Sequence, residues 1–344
     1  MTKLTSSYIL LEPAPHYLSG GRNDKAAHPD FNGESAPGED DRLSRNVGQQ
    51  IRAAIAAKLG TAAPVAPPSY LVGLIGRGIG SSKSPAMHER EGARIGLNYS
   101  YVLIDFDQLG LDDADLGQAI AAAGEAGFAG VNVTHPFKQA VIDHLDDLSP
   151  EASAIGAVNT VLLGRRTVGH NTDSWGFAES FRETLPDVRK GRVVQFGAGG
   201  AGAAVAHALL THDIDGLVLT DVDPSKADEL ARRLVGRFGA RISVTTDVAA
   251  AVASADGVVN TTPMGMAKYP GLPFPREYLE PRHWVSDVVY FPAETELLRL
   301  ARSIGCRTMA GTGMAVYQAV KAFELFTGIA PDRERMIDHF RAAA

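Results

Sequence analysis

The sequence predicts an α/β protein with two α/β domains, and three observations lead to that fold class. From Tyr70 onward, short apolar runs alternate with helical stretches, as where 71–75 is followed by 85–97. Parallel strands joined by crossover helices have this pattern. The 344 residues are enough for about two domains that each bury a core. The sequence also turns polar at 185–190, just before another apolar run, which indicates a domain boundary there.

The apolar runs predict where the strands lie, and helical stretches fall between them. We expect strands at 71–75, 99–104, 130–133, 193–196, 217–220, 257–259 and 284–289. We expect helices at 85–97 and 313–327, and a further helix that the segment 197–202 opens and that runs through Leu210. The resulting division is a first domain over 70–185, completed by C-terminal helices at about 313–344, and a second domain over 186–312. Two such domains leave a cleft between them.

Residues 1–69 differ from the rest of the chain. They are rich in glycine, proline and acidic residues, so we interpret them mostly as a flexible extension. Within this extension an apolar residue recurs at every fourth position, in Val47, Ile51, Ile55 and Leu59. This spacing predicts one amphipathic helix over 42–59, which packs on a neighbouring element.

Composition and charge narrow the classes of ligand. The net charge is −7 and no segment concentrates Lys and Arg, which argues against a nucleic-acid partner and favours a small molecule. The single cysteine, Cys306, excludes an internal disulfide and a multi-cysteine metal site. No apolar stretch approaches the length of a membrane span. We therefore expect no membrane association and a cytoplasmic location.

The segment Gly197-Ala198-Gly199-Gly200-Ala201-Gly202 follows an apolar run and opens an alanine-rich helix. This is the G-x-G-x-x-G pattern in its strand–turn–helix context. The first glycine permits the tight turn, the second lets a pyrophosphate approach the backbone, and the third lets the helix pack on the strand. The helix N-terminus then stabilises the phosphate charge. The sequence therefore predicts a Rossmann-like domain that binds a nicotinamide dinucleotide.

An acidic residue at the end of the next strand indicates which dinucleotide. Asp221 stands nineteen positions after Gly202, where a carboxylate accepts hydrogen bonds from the adenosine ribose and repels a 2′-phosphate. NAD is therefore the expected cofactor, and NADP is disfavoured. Asp223 is a competing candidate for this role, and Lys226 would let some NADP bind.

Four further segments combine polar side chains with glycine or proline, and three of them are expected just after a strand. They are 81–88, 132–138, 156–160 and 169–173. Together they resemble the shikimate dehydrogenase family, whose S-x-S/T-P, N-V-T-x-P-[FY]-K, G-A-V-N-T and N-T-D motifs occur here in the same order. The resemblance runs from about Tyr70 to the C-terminus and also covers 260–266, 287–290 and 313–319. The extension before Tyr70 lies outside it.

The resemblance implies that Lys138 and Asp173 are the catalytic pair. The chemistry agrees with this assignment. Reduction of a ketone leaves negative charge on its oxygen, which a positioned ammonium stabilises and protonates, while a carboxylate holds the ammonium in place. The family then implies reversible oxidoreduction of shikimate and 3-dehydroshikimate, with quinate and 3-dehydroquinate as a second pair.

Other site residues follow from the same resemblance. Ser82 and Ser84 match the hydroxyl pair that binds the substrate carboxylate, although either serine could instead cap the turn before Pro85. Contacts to the rest of the substrate and to the cofactor are implied for Thr134, Asn159, Gln318 and Tyr290, and for Thr261, Met264 and Gly313. The adjoining His88, His135 and His170 lack metal-ligand spacing, so no metal is expected.

Within the family, the resemblance is to the NAD-dependent quinate/shikimate dehydrogenases, because Asp221-Val222-Asp223 stands where NADP-type members have Asn-Arg-Thr. Ser84 departs from this branch, whose quinate users often have threonine there. Shikimate is therefore the expected main substrate. Two alternatives stay open, namely an aminoshikimate or aminoquinate dehydrogenase and a ligand sensor without turnover. The sequence leaves open whether the chain is a monomer or a homodimer.

Overall fold

The structure is a computed structural model and describes residues 39–59, 69–212 and 214–342. Over these residues the chain forms twelve α-helices and twelve β-strands. The helices are α1 (Glu39–Leu59), α2 (Ser84–Arg94), α3 (Phe106–Leu109), α4 (Leu116–Glu125), α5 (Pro150–Ile155), α6 (Thr172–Thr184), α7 (Gly200–Thr211), α8 (Pro224–Phe238), α9 (Val248–Ala253), α10 (Glu296–Ser303), α11 (Gly311–Thr327) and α12 (Arg333–Ala342). The strands are β1 (Tyr70–Gly76), β2 (Tyr99–Asp105), β3 (Gly130–Val133), β4 (Asp147–Leu148), β5 (Thr160–Leu162), β6 (Val168–His170), β7 (Arg192–Phe196), β8 (Gly216–Thr220), β9 (Ile242–Val244), β10 (Gly257–Asn260), β11 (Trp284–Asp287) and β12 (Arg307–Ala310).

The first sheet has the strand order β2-β1-β3-β5-β6-β4. Strands β1, β2 and β3 are parallel, whereas β5 runs antiparallel to both β3 and β6. The sheet is therefore mixed, where the sequence pattern indicated a parallel one. The difference arises because β5 and β6 are joined by the short turn 163–167, which permits only an antiparallel pair.

The second sheet has the strand order β12-β11-β10-β7-β8-β9, and every pair in it is parallel. Read from the other edge, this is the 3-2-1-4-5-6 order of a Rossmann sheet. Its crossover helices cover both faces, so the central strands β7 and β10 are apolar along most of their length and buried. Ligands of such sheets bind beyond the carboxyl ends of the strands, where the strand order reverses. That point lies between β7 and β10.

Helix α11 returns to the first sheet, as the sequence predicted. Its Phe323 and Phe326 are buried in one cluster with Val72 and Leu74 of β1. The helix also lies very close to α6, since a Cβ at Gly176 would meet backbone atoms of α11 within 3 Å. Helix α11 therefore connects the first sheet to the helix that leads into the second.

We call the part of the molecule built on the first sheet the first half and the part built on the Rossmann sheet the second half. Helix α1 packs on the first half, and the predicted helix over 42–59 is confirmed with a slightly earlier start. Val47 and Ile51 are 2% and 0% exposed and share a cluster with buried residues of β2 and α4. The rest of the predicted flexible extension, 1–38 and 60–68, lies outside the described residues. The predicted boundary at 185–190 falls between α6 and β7, and the domain limits stay a prediction. In the part of the chain that the structure describes, no helix is long and apolar enough to cross a membrane.

Candidate active site

The glycine loop, residues 197–202, joins β7 to α7 and has the geometry that a dinucleotide phosphate needs. Gly197 has a φ of +100°, which favours glycine. A Cβ at Gly202 would overlap the Gly197 carbonyl, whereas a Cβ at Gly199 would meet no atom within 4 Å. The buried Gln195 amide donates to the carbonyls of Gly197 and Gly202, at 2.9 Å each, and braces the loop. The open side at Gly199, in front of the α7 N-terminus, fits a pyrophosphate.

The two candidate carboxylates after β8 have different surroundings. Asp221 accepts hydrogen bonds from the Ala198 backbone N–H at 2.8 Å and from the Asp223 N–H at 2.9 Å. Asp223 is the N-cap of α8 and accepts from the N–H and hydroxyl of Ser225, at 3.1 and 2.6 Å. Capping explains Asp223. Asp221 is the carboxylate held against the glycine loop.

Lys138 and Asp173 are thirty-five positions apart in the sequence and form an ion pair in the structure. Lys138 lies in a tight turn that follows β3. The preceding residue, Phe137, is buried in the same apolar cluster as Val131 and Val133 of β3, and so holds the turn in place. Asp173 lies in the first turn of α6, two residues after the N-cap Asn171. The side chains are 18% and 6% exposed. The pair is therefore largely shielded from water and keeps access to the space in front of it.

The lysine of this pair also lies against the glycine loop. A Cβ at Gly200 would stand 3.0 Å from Lys138 Cβ and 3.4 Å from its Cδ. Gly200 is one of the three variable positions in G-x-G-x-x-G, so the dinucleotide pattern does not explain it. The absence of a side chain there lets the stem of Lys138 pack across from the first half of the molecule to the second.

A buried polar network lies behind the ion pair. The Asn159 carboxamide oxygen accepts from the Thr172 N–H at 2.7 Å, and its amide donates to the Thr172 hydroxyl at 2.9 Å. The Asn132 amide donates to the Asn159 carbonyl at 3.2 Å and to the Thr160 hydroxyl at 2.9 Å. Asn159, predicted as a substrate contact, is thus also the anchor of the first turn of α6. One N–H of its amide remains for a ligand.

The serines predicted to hold a carboxylate lie at the start of α2. The Ser82 hydroxyl accepts from the Ser84 N–H at 3.3 Å, so Ser82 has the turn contact considered above as its alternative role. The Ser84 hydroxyl is hydrogen-bonded to the Tyr101 phenol, and burial raises the pKa of Tyr101. Tyr101 donates to Asn132 Oδ1 at 2.8 Å. Sequence reasoning missed Tyr101, although two tyrosines with same-face spacing in β2 were a signal.

Tyr290 follows β11 and interacts with Asp173, whereas Gln318 lies on α11. Tyr290 is 43% exposed as a whole, but desolvation of its phenol and the negative charge of Asp173 raise the pKa of that group, and its ring makes an edge contact with Phe340 at 6.2 Å. The Gln318 amide donates to the Ala315 carbonyl at 2.9 Å, which leaves its oxygen open to a ligand. Thr134 is half-buried and its N–H donates to the Ile75 carbonyl at 2.9 Å.

The three remaining cofactor candidates have local roles as well. The Thr261 hydroxyl shares its one proton between the carbonyls of Phe196 and Gly197, at 2.8 and 2.9 Å, and so closes the glycine loop against β10. The Met264 carbonyl accepts from the Asn260 amide at 2.9 Å. Gly313 faces α6, since a Cβ there would overlap Ser180. Close packing of α11 on α6 explains this glycine without a ligand.

The histidines beside the motifs do not form a metal site. Among the described residues, no group of three or more His, Cys, Asp or Glu side chains is placed to hold a metal ion. His88 is fully buried with its Nδ1 3.0 Å from the Tyr99 hydroxyl, and burial lowers its pKa to about 3. It is therefore a neutral core residue. Cys306 is a buried free thiol in the second half.

These features define a protein with two α/β sheets, of which one is a Rossmann sheet with a dinucleotide loop, and with a Lys–Asp pair against that loop. Residues 74–161 match the family model for the shikimate dehydrogenase substrate binding domain, and residues 311–339 match that for the shikimate 5′-dehydrogenase C-terminal domain. A shikimate dehydrogenase (NADP(+)) of Streptomyces avermitilis is 56% identical over 78% of this chain and 94% of its own length. The chain belongs to the shikimate dehydrogenase family.

Two further relatives carry NAD in their names. A quinate/shikimate dehydrogenase (NAD(+)) of Corynebacterium efficiens is 50% identical over 78% of this chain and 96% of its own length. The solved quinate dehydrogenase from Corynebacterium glutamicum in complex with NAD is 46% identical, with a TM-score of 0.75 over 80% of this chain and 99% of that one. The relatives include NAD and NADP enzymes, so family membership establishes an oxidoreductase that uses a nicotinamide dinucleotide.

Proposed function

We propose that this chain catalyses the reversible oxidation of shikimate to 3-dehydroshikimate with NAD, and that Lys138 and Asp173 are its catalytic pair. The observation that carries the proposal is the ion pair between these residues, which lies against Gly200 of the glycine loop. A dinucleotide on this loop and a substrate at the pair are adjacent. When bound, the dinucleotide accepts the hydride of the alcohol or supplies it to the ketone.

The roles of the two side chains follow from their charges. In the direction of reduction, negative charge develops on the ketone oxygen, and the Lys138 ammonium stabilises it and gives it a proton. In the direction of oxidation, the neutral amine of Lys138 accepts the proton of the substrate hydroxyl. The Asp173 carboxylate holds Lys138 Nζ in position and accepts a hydrogen bond from the substrate hydroxyl. Because both side chains are mostly buried, solvent screens these interactions little.

The Ser82 and Ser84 hydroxyls supply the carboxylate end of the site. Both are half-buried at the start of α2. Ser84 is hydrogen-bonded to Tyr101, which is itself held by its hydrogen bond to Asn132. Quinate carries a tertiary hydroxyl beside its carboxylate, and the site would have to accommodate this extra group next to Ser82 and Ser84. We therefore expect a higher kcat/KM with shikimate than with quinate. A panel of shikimate, quinate and their amino analogues, assayed by NADH absorbance, tests this order. Absence of NADH with every member would favour the sensor alternative.

The choice of NAD rests on Asp221. Its carboxylate is fixed between the glycine loop and the start of α8, where it would repel a 2′-phosphate, and no arginine stands in 221–223. We expect a higher kcat/KM with NAD than with NADP, and Asp221→Ser should lower that ratio at least tenfold, which corresponds to about 1.4 kcal/mol.

Asp223→Ser is the matched control for this test. Serine is also a good N-cap, so α8 keeps its start while a second nearby carboxylate is removed. The NAD/NADP ratio should change less than threefold in this variant. A wild-type preference for NADP, or equal effects of the two substitutions, would contradict the role given to Asp221.

A further inference from the structure

Helix α5 is part of the first half by chain position, yet it packs into the core of the second. Ile155 at the end of α5 and Ala157 two residues later are fully buried in one cluster with residues of α7 and α8, such as Ala203, Leu230 and Leu234. The two halves therefore meet at an apolar junction between α5 and α8, apart from the ion pair and the glycine loop.

Arg233 of α8 lies at the rim of this junction. Its Nη1 donates to the carbonyls of Ile155 and Gly156 at 3.2 and 3.4 Å, and its Nη2 donates to Glu229 Oε1 at 2.7 Å. These carbonyls lie at the C-terminus of α5, which attracts a cation. Gly156 has a φ of +69°, and a Cβ there would overlap the guanidinium. The site for Arg233 is therefore closely fitted, and its side chain is 28% exposed.

The segment that Arg233 holds continues directly into the active site. The Val158 N–H donates to the carbonyl of Lys138 at 2.7 Å. The Asn171 amide donates to the Ala157 carbonyl at 2.9 Å, and Asn171 caps the helix that carries Asp173. The backbone of both catalytic side chains is thus tied to 156–159. At its other end, α8 begins just after the Asp221 loop.

We propose that Arg233 is a positioning residue that couples dinucleotide binding in the second half to substrate binding in the first. It is not placed to touch either ligand. A displacement of Asp221, three residues before α8, moves α8 and the Arg233 side chain on it. Through its hydrogen bonds, Arg233 then moves the segment 156–159, which is bonded to the backbone of Lys138. This inference rests on the function proposed above. Because coupling is reciprocal, each ligand should raise the affinity for the other by the same factor.

The test compares Arg233→Met with Arg232→Met. Methionine keeps the length of the stem and removes the donors, and the neighbouring Arg232 is exposed on the same helix, so it is a matched control. The Kd of shikimate is measured by calorimetry without and with saturating NADH, a pair that cannot react, and the ratio of the two values is the coupling factor. We expect Arg233→Met to reduce this factor by about three- to thirty-fold and to change each single-ligand Kd less than twofold.

Two further variants keep the test decisive if Arg233→Met folds poorly. Glu229→Gln weakens the hold on the guanidinium and leaves its carbonyl partners in place, so an intermediate loss of coupling is expected. Arg233→Lys keeps the charge and shortens the reach, and it should also lose part of the coupling. A merely structural role would lower the melting temperature and leave the ratio unchanged.

The outcomes separate the inference from the function it rests on. A coupling factor in Arg233→Met equal to that of Arg232→Met, or a wild-type factor of one, overturns the role of Arg233 and leaves the dehydrogenase proposal intact. Failure of the wild-type chain to bind NADH and shikimate refutes the proposed function, and the inference with it.

Discussion

Asp287 is a buried carboxyl group whose protonation should control the stability of the second half. It ends β11, is 0% exposed, and accepts hydrogen bonds from the Asn260 amide at 2.9 Å, the Thr295 hydroxyl at 2.7 Å and the Val289 N–H at 3.0 Å. Burial outweighs these donors and raises the pKa of Asp287 to about 6 from an ordinary value of 3.8. This difference corresponds to about 3 kcal/mol between the two protonation states.

The sign of the effect follows from proton binding. Because the pKa is higher in the folded state, the folded protein binds more protons than the unfolded chain between about pH 4 and 6. Its stability therefore falls as the pH rises through this window, and the full loss of about 3 kcal/mol is present at pH 7. Asp287→Asn cannot titrate. Its amide oxygen still accepts from Asn260 and Val289, which both bond the same oxygen of Asp287.

Urea unfolding at pH 4, 5, 6 and 7, followed by tryptophan fluorescence, to which Trp284 on the same strand contributes, measures this effect. The difference in unfolding free energy between Asp287→Asn and the wild type should move in favour of the variant by about 2.4 kcal/mol from pH 4 to pH 7, because part of the loss is already present at pH 4. Asp187→Asn, at an exposed position, controls for the change in net charge. A difference that stays constant across these pH values would refute the reasoning.

Three further predictions concern the site and the packing of α1. Lys138→Met should lower kcat by about a hundredfold or more with a smaller change in KM; steady-state kinetics with near-normal kcat would remove Lys138 from the mechanism. Ser84→Thr should raise the quinate-to-shikimate ratio of kcat/KM, and an unchanged ratio would show that Ser84 does not contact the carboxylate end. Ile51→Ala should lower the unfolding free energy by about 2–5 kcal/mol. Ile55→Ala, at a half-buried position, should lower it by less. Equal small losses in urea titrations would mean that α1 does not pack as described.

The sequence predicted the regular part of the fold and missed its short elements. Strands of the second sheet such as β7 and β8 are apolar runs with clear ends, so their positions were predicted within one residue. Strands β4, β5 and β6 have two or three residues each, too few for a period to be recognised. The antiparallel direction of β5 depends on tertiary pairing, which no local pattern contains.

The site was predicted to a different extent at each residue. Motifs placed Lys138 and Asp173 in one site, and the structure brings them into contact. The choice between Asp221 and Asp223 needed the capping geometry of α8, because both carboxylates have the same local sequence context. Arg233 had no signal at all, since an arginine on a helix face is usually solvated. Its partners are backbone carbonyls, which a sequence does not display.

The burial of Ile155 and Ala157 among the residues of α7 and α8 has a consequence for unfolding. Unfolding of the second half removes the apolar residues that bury α5. Ile155 and Ala157, which belong to the first half by chain order, then become exposed to solvent. Energetic units and chain order therefore differ here. Helix α5 should share the hydrogen-exchange protection of α7 and α8, and the two halves should lose structure in one cooperative event.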